Sequence, residues 1–243
     1  MRLLERAGVT IRLAGGSDRE GGGAGPLVVL LHGFGAPGDD LAPLWRVIDA
    51  PPGTRWAFPA APVVLPVPDG SRGFGAPSDS RAWWMIDIER RLAAAERGEL
   101  EAMSREVPAG LDRARGVVCR VLDALEAELG PSAIVLGGFS QGAMLACDVA
   151  LRTERALAGI VLLSGTLIAA DEWAAAAARR RGLPVFQSHG SGDPLLPFAY
   201  AEKVRALLQA GELDVTWTPF RGGHEIPAGV LQDLGAWLRR VLA

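Results

Sequence analysis

The pentapeptide Gly138-Phe139-Ser140-Gln141-Gly142 is the only G-x-S-x-G in the chain. It lies between a buried-strand pattern and a helical one, the setting of a nucleophile elbow. Glycines two residues either side of Ser140 permit a sharp turn that holds the serine strained, with Oγ exposed above a sheet. The following helix adds its N-terminal dipole, and the Gln141 N–H points where an oxyanion would form. The chemistry of such a site is acyl transfer through a serine nucleophile. A hydroxyl needs a base, and the chain holds three histidines, His32, His189 and His224. Only His224, in Gly222-Gly223-His224-Glu225, follows both the serine and a suitable acid, in the order Ser, Asp, His. Asp193, after Gly190-Ser191-Gly192, is the expected acid, accepting the Nδ1 proton of His224. Asp171 is its main rival, and a turn or cap aspartate is the competing role for Asp193 itself. Glu225 adjoins the base and should face away. A second oxyanion donor is expected from His32-Gly33-Phe34-Gly35, with the Phe34 N–H partnering that of Gln141 and His32 ordering the loop.

Gly33, Gly35 and Gly38 also satisfy G-x-G-x-x-G between a strand and a helix. A dinucleotide site would want an acid at the end of the next strand, but that strand runs into Pro59-Ala60-Ala61-Pro62. The nucleotide reading therefore falls behind.

The elements that must position these residues alternate. Strands are expected at residues 2–14, as an edge hairpin, and at Leu27 to Leu31, Arg55 to Phe58, Ala133 to Leu136, Gly159 to Leu163, Val185 to Ser188 and Val215 to Phe220. Helices are expected from Asp39 or Asp40 to about Asp49, then at Pro108 to Leu129, Gln141 to Arg152, Asp171 to Arg181, Phe198 to Ala210 and Pro227 to Val241. Alternation of this kind implies an α/β fold, a mostly parallel central sheet with helices on both faces, in one domain over residues 1–243. The stretch from Ala60 to Arg105 is the least regular, Pro-rich at first, then carrying Gly70, Gly73, Gly75 and the pair Trp83-Trp84. A long excursion of this kind should wall the substrate site.

Composition narrows the class. An apolar share of 49% can build a full core, and a net charge of −3 supplies no basic field for phosphate backbones. Nucleic acid is not an expected partner. The single lysine, Lys203, has no Gly-rich loop before it, which removes a Walker-type site. Glu5, Arg6 and Arg12 interrupt any signal-peptide pattern, and the uncharged run from Ala156 to Ala170 is too short and too broken to span a membrane. Cys119 and Cys147 form neither a disulfide framework nor a metal site, as suits reduced thiols in a cytoplasmic protein.

Six motifs in order carry a resemblance: Leu31-His32-Gly33-Phe34-Gly35, Phe58-Pro59-Ala60-Ala61-Pro62, Arg81-Ala82-Trp83-Trp84, Gly138-Phe139-Ser140-Gln141-Gly142, His189-Gly190-Ser191-Gly192-Asp193-Pro194 and Gly223-His224-Glu225. Together they resemble the carboxylesterase, lysophospholipase and acyl-protein thioesterase family of α/β-hydrolases. The resemblance implies that fold, a triad of Ser140, Asp193 and His224, and an oxyanion hole from Phe34 and Gln141. It departs from the family at Phe34, where leucine is common, at Ala143, where a further glycine is common, and at Ile86 to Glu106, which is longer and more charged than usual. Large caps in this fold commonly enter after the strand that follows the elbow helix, but only Ser164 to Ala170 is available there, so no large cap domain is expected.

The expected site is an open groove walled by the excursion, Trp83, Trp84, Leu195 and Leu196, with burial in the core as the competing role of the tryptophans. Such walls suit short to medium acyl esters cleaved through an acyl-enzyme, with thioesters or lysophospholipids as natural possibilities. No metal or organic cofactor is required. Because the base must be neutral, activity should rise through the ordinary imidazole range near pH 6.5. An acyltransferase, a lyase or a catalytically silent binding protein on the same fold are the alternatives, and a homodimer is an expectation by analogy alone.

Overall fold

A computed structural model describes residues 1–66 and 79–243, and only the backbone of Leu92 and Ala95. Gly70, Gly73 and Gly75 lie outside the described residues. The first elements are β1 (Arg2–Arg6), β2 (Val9–Gly16), β3 (Glu20–Gly22), β4 (Leu27–Leu31) and β5 (Arg55–Pro59). The excursion contributes β6 (Val63–Val64), β7 (Arg81–Ala82), α1 (Ile88–Glu96) and α2 (Leu100–Arg105). Then follow α3 (Leu111–Leu129), β8 (Ile134–Phe139), α4 (Gln141–Arg152), β9 (Gly159–Leu163), α5 (Ala170–Ala177), β10 (Pro184–Gly190), α6 (Phe198–Ala210), β11 (Asp214–Phe220) and α7 (Ala228–Val241).

The main sheet has the order β1-β2-β5-β4-β8-β9-β10-β11, with β3 beside β2. From β5 to β11 every neighbouring pair is parallel, while β1 and β2 form the antiparallel edge. The continuous apolar runs Leu27–Leu31 and Gly159–Leu163 are buried along their whole length because both faces are covered. Leu27, Val29 and Leu31 pack with α3, α4 and α5 in one core cluster; Val28 and Leu30 pack on the other face with α7 and the turn near Ala42. Strand alternation thus produces the two-sided sheet expected of this α/β fold.

Three expectations need correction. The helix expected up to Asp49 is a 3-10 turn, Ala42–Arg46. Pro43 removes a backbone donor at its start, and Asp39 pairs with Arg12 at 3.0 Å instead of capping. The helix expected from Asp171 to Arg181 is α over Ala170–Ala177 and tightens to 3-10 over Ala178–Arg180. The stretch from Ile86 to Glu106 is built of two short helices, and these stand over the carboxyl edge of the sheet. Between β9 and α5 only residues 164–169 intervene, leaving no room for a large cap there.

Candidate active site

Ser140 sits between β8 and α4 at φ 54°, ψ −117°, a region that non-glycine residues rarely adopt. Its N–H donates to the Leu163 carbonyl of the neighbouring strand at 2.9 Å, pinning the turn. The elbow's glycines are required by close approach: a β-carbon on Gly138 would lie 2.5 Å from the Leu31 oxygen, and one on Gly142 would collide with the same carbonyl. Gly33 passes close to the elbow too, its missing β-carbon 3.4 Å from Ser140 Cβ.

At the ends of β10 and β11, two loops are tied together by Ser191 N–H to Phe220 O at 2.8 Å and Gly192 N–H to Gly222 O at 2.9 Å. Any side chain on Gly190 would strike the Gly222 and Gly223 carbonyls, which is why this crossing is glycine-rich. The result is a hydrogen bond from His224 Nδ1 to Asp193 Oδ2 at 2.7 Å. A carboxylate only accepts, so Nδ1 holds a proton, and in the neutral ring Nε2 is the nitrogen with the lone pair. Asp193 Oδ1 accepts the Leu195 and Leu196 amides, each at 2.9 Å.

Burial alone would raise the Asp193 pKa. Hydrogen bonds from His189, His224 and the two amides outweigh that effect and hold the carboxyl well below the usual carboxylate range. His189, fully buried, donates Nε2–H to Leu196 O at 2.8 Å and lies 3.3 Å from Asp193 Oδ2. The sequence alone gives His189 no role; its only signal there is proximity to Asp193. The rival acid Asp171 is exposed and paired with Arg105 at 2.6 Å. Glu225 turns its carboxylate back onto the Gly223 N–H at 3.2 Å.

His32 orders the loop after β4 from both ring nitrogens. Nδ1–H donates to Gly33 O at 2.8 Å and Nε2 accepts the Ala61 N–H at 3.0 Å, while burial pushes the imidazole pKa down. Trp83 Nε1–H reaches the His32 carbonyl at 3.0 Å. Among the described residues, no hydrogen-bond acceptor is recorded for the Phe34 N–H, and Gln141, as the first residue of α4, has an N–H with no partner within the helix. The Gln141 side chain is fully buried: Oε1 accepts Trp83 N–H at 2.9 Å and Nε2 donates to Trp84 O at 2.8 Å. That link from the elbow to the tryptophan pair carried no sequence signal.

Ser140, His224, Gly33 and Phe34 open on one cleft of about 420 Å³, within the range of small-molecule sites. Trp84, Leu195 and Leu196 line it; Trp83 does not, and its ring is buried against His32 with centroids 5.6 Å apart. The Trp83 expectation is corrected accordingly: its indole is committed to the His32 carbonyl and faces the core. Further walls come from Phe139, Met144 and Ile168, from Met85 and Ile86 just before α1, and from the two short helices of the excursion through Ile88, Arg91 and Met103.

Known proteins agree with this architecture. The chain is 31% identical over 202 residues to acyl-protein thioesterase 1 of Schizosaccharomyces pombe, covering 80% of this chain and 81% of that one. It is 26% identical over 224 residues to acyl-protein thioesterase 1 of Kluyveromyces lactis, covering 89% and 92%. The crystal structure of esterase PE8 superposes with a TM-score of 0.76 at 31% identity, covering 96% of this chain and 99% of that one. With a family match from residue 20 to residue 242, the chain belongs to the phospholipase/carboxylesterase family of α/β-hydrolases, enzymes that hydrolyse ester bonds.

Proposed function

We propose that the chain is a serine esterase that cleaves short to medium acyl esters, and thioesters or lysophospholipids of similar acyl length, through an acyl-enzyme on Ser140. The observation that carries this reading is the strained Ser140 sharing one cleft with a His224 whose Nδ1 is held by Asp193 at 2.7 Å. In this mechanism His224 Nε2 takes the Ser140 proton as Oγ attacks the carbonyl carbon. The Phe34 and Gln141 amides stabilise the oxyanion, and the imidazolium then protonates the leaving alkoxide or thiolate. Water, activated by the same Nε2, attacks the acyl-enzyme and releases the acid.

The walls support an acyl chain as the bound part. Of the exposed large apolar residues, Met85, Ile88 and Leu195 border the cleft, with Leu195 57% exposed. Cys119 and Cys147 are free thiols, which supports a reducing compartment such as the cytoplasm.

The test is a panel of nitrophenyl esters of increasing acyl length beside matching acyl-thioesters, with wild type and Ser140→Ala. A rate that peaks at short to medium chains and vanishes in the variant supports the reading. Unchanged turnover in Ser140→Ala overturns it.

A further inference from the structure

Among the described residues, five charged side chains border the cleft: Asp40, Asp87, Arg90, Arg91 and Glu106. Four of them are exposed and three are already engaged. Arg90 forms a two-pronged pair with Glu106 at 2.6 and 2.8 Å, and Asp87 Oδ1 accepts the Arg90 N–H at the head of α1. Arg91 differs on each count. Its side chain is half-buried, no carboxylate lies within ion-pair distance among the described residues, and its Nε is buried with no hydrogen-bond partner.

Among the described residues, the carboxylate whose charge reaches Arg91 is that of Asp193. Asp193 is spent on two imidazoles and two amides, so it offers no free acceptor. Burial pulls the Arg91 pKa down, yet a guanidinium starts so high that it keeps its charge at neutral pH. An arginine that merely packed its stem on the wall would carry its head out to water. Here the head is partly withdrawn from water and has no carboxylate within ion-pair distance among the described residues, leaving a charge that an anion arriving in the cleft would balance.

We infer that Arg91 is a specificity-determining residue that binds an anionic group, carboxylate or phosphate, carried by the substrate in the Ser140 cleft. The inference deepens the esterase reading and rests on it for the identity of the reaction. A planar guanidinium can meet either oxyanion with two parallel hydrogen bonds. The natural substrate is therefore an ester with an apolar segment on the Met85, Ile88 and Leu195 side and a negative charge within reach of α1. Two sources carry that chemistry: a dicarboxylic acid half-ester, with the charge on the acyl side, and an acyl glycerophosphate, with the charge on the leaving side.

Two measurements test it. In the first, kcat/KM is compared for mono-nitrophenyl glutarate against nitrophenyl valerate, and for a monoacyl glycerophosphate against the monoacylglycerol of the same chain, with wild type, Arg91→Met and Arg91→Lys. The charged-to-neutral ratio of one pair should fall by roughly 30-fold in Arg91→Met, as loss of a charged hydrogen bond implies. Arg91→Lys should recover part of it, and the pair affected identifies the source. In the second, calorimetric binding of the same four compounds is measured on Ser140→Ala and on Ser140→Ala with Arg91→Met, where no turnover is needed. Charged compounds should bind more weakly to the double variant by a similar factor. A ratio and a binding difference that Arg91→Met leaves unmoved overturn the Arg91 assignment. Selective charged binding in Ser140→Ala, with no ester turned over by wild type, overturns the Ser140 reading and supports the Arg91 one.

Discussion

At the scale of single residues, the site depends on a carboxylate that accepts more hydrogen bonds than it has oxygens. With Oδ1 on two amides and Oδ2 facing both His224 and His189, Asp193 has no freedom to turn away. Asp193→Asn should keep the fold and lower kcat by about 10⁴-fold, because an amide can present an N–H to the imidazole and select the wrong tautomer. Nitrophenyl ester kinetics on the variant check this. The same hydrogen bonds make a stability prediction. A carboxyl whose folded pKa is depressed contributes stability that is present above its unfolded pKa of about 3.9 and is lost as pH falls toward the folded value. Urea midpoints measured between pH 2 and pH 5 should fall steeply in wild type and less steeply in Asp193→Asn. Ser140, Asp193 and His224, the proposed triad, and the Phe34 and Gln141 amides, the proposed oxyanion donors, could be named from the sequence because each is tied to a short loop motif at a strand end. His189 and Arg91 were not, since a buried imidazole beside the carboxylate and an arginine with no ion pair among the described residues have no local sequence pattern; only their neighbours give them meaning.

The elements place those residues through a few rigid contacts. The β4 loop, the Trp83-Trp84 segment and the elbow are joined by His32 and by the Gln141 side chain, which ties the walls to the turn that carries Ser140. Gln141→Leu would strand the Trp83 N–H and the Trp84 carbonyl without partners, costing about 2–4 kcal/mol in chemical denaturation, and should lower kcat as the oxyanion loop loosens. Gly142→Ala, which drives a methyl into the Leu31 carbonyl, should cost about 3 kcal/mol or displace the elbow, with activity falling alongside. His32 gives the loop a pH signature. Its folded pKa is depressed, so its stabilising contribution is full above the unfolded imidazole value near 6.5 and declines as pH falls through the folded value. A stability profile from pH 7 to pH 5 should flatten in His32→Gln. The helices Gln141 to Arg152 and Phe198 to Ala210 and the strand Gly159 to Leu163 were legible to the residue, because apolar periodicity and burial coincide there. The two helices of the excursion were hidden by the opposite condition: Ile88, Glu89 and Arg90 are exposed over a cleft, so α1 carries no clean buried stripe to read.

Across the whole molecule, a two-faced sheet delivers Ser140, Asp193 and His224, the proposed nucleophile, acid and base, from the ends of β8, β10 and β11 to one edge. Far from that edge, Arg55 is fully buried and donates to the carbonyls of Gly23, Gly25 and Leu129, fastening the start of β5 to the loops around it. Arg55→Met should destabilise the protein by about 3 kcal/mol in urea, leaving kcat of the folded fraction nearly unchanged. The excursion adds a helical wall that carries apolar side chains and Arg91, which has no carboxylate within ion-pair distance among the described residues. The central claim is that Ser140 is the nucleophile that His224 activates. Labelling the folded protein with a fluorophosphonate and locating the adduct by mass spectrometry tests it most directly. One adduct on Ser140, absent in Ser140→Ala and formed far more slowly in His224→Ala, is the predicted result. Folded, ester-hydrolysing protein that carries no adduct on Ser140 would contradict it.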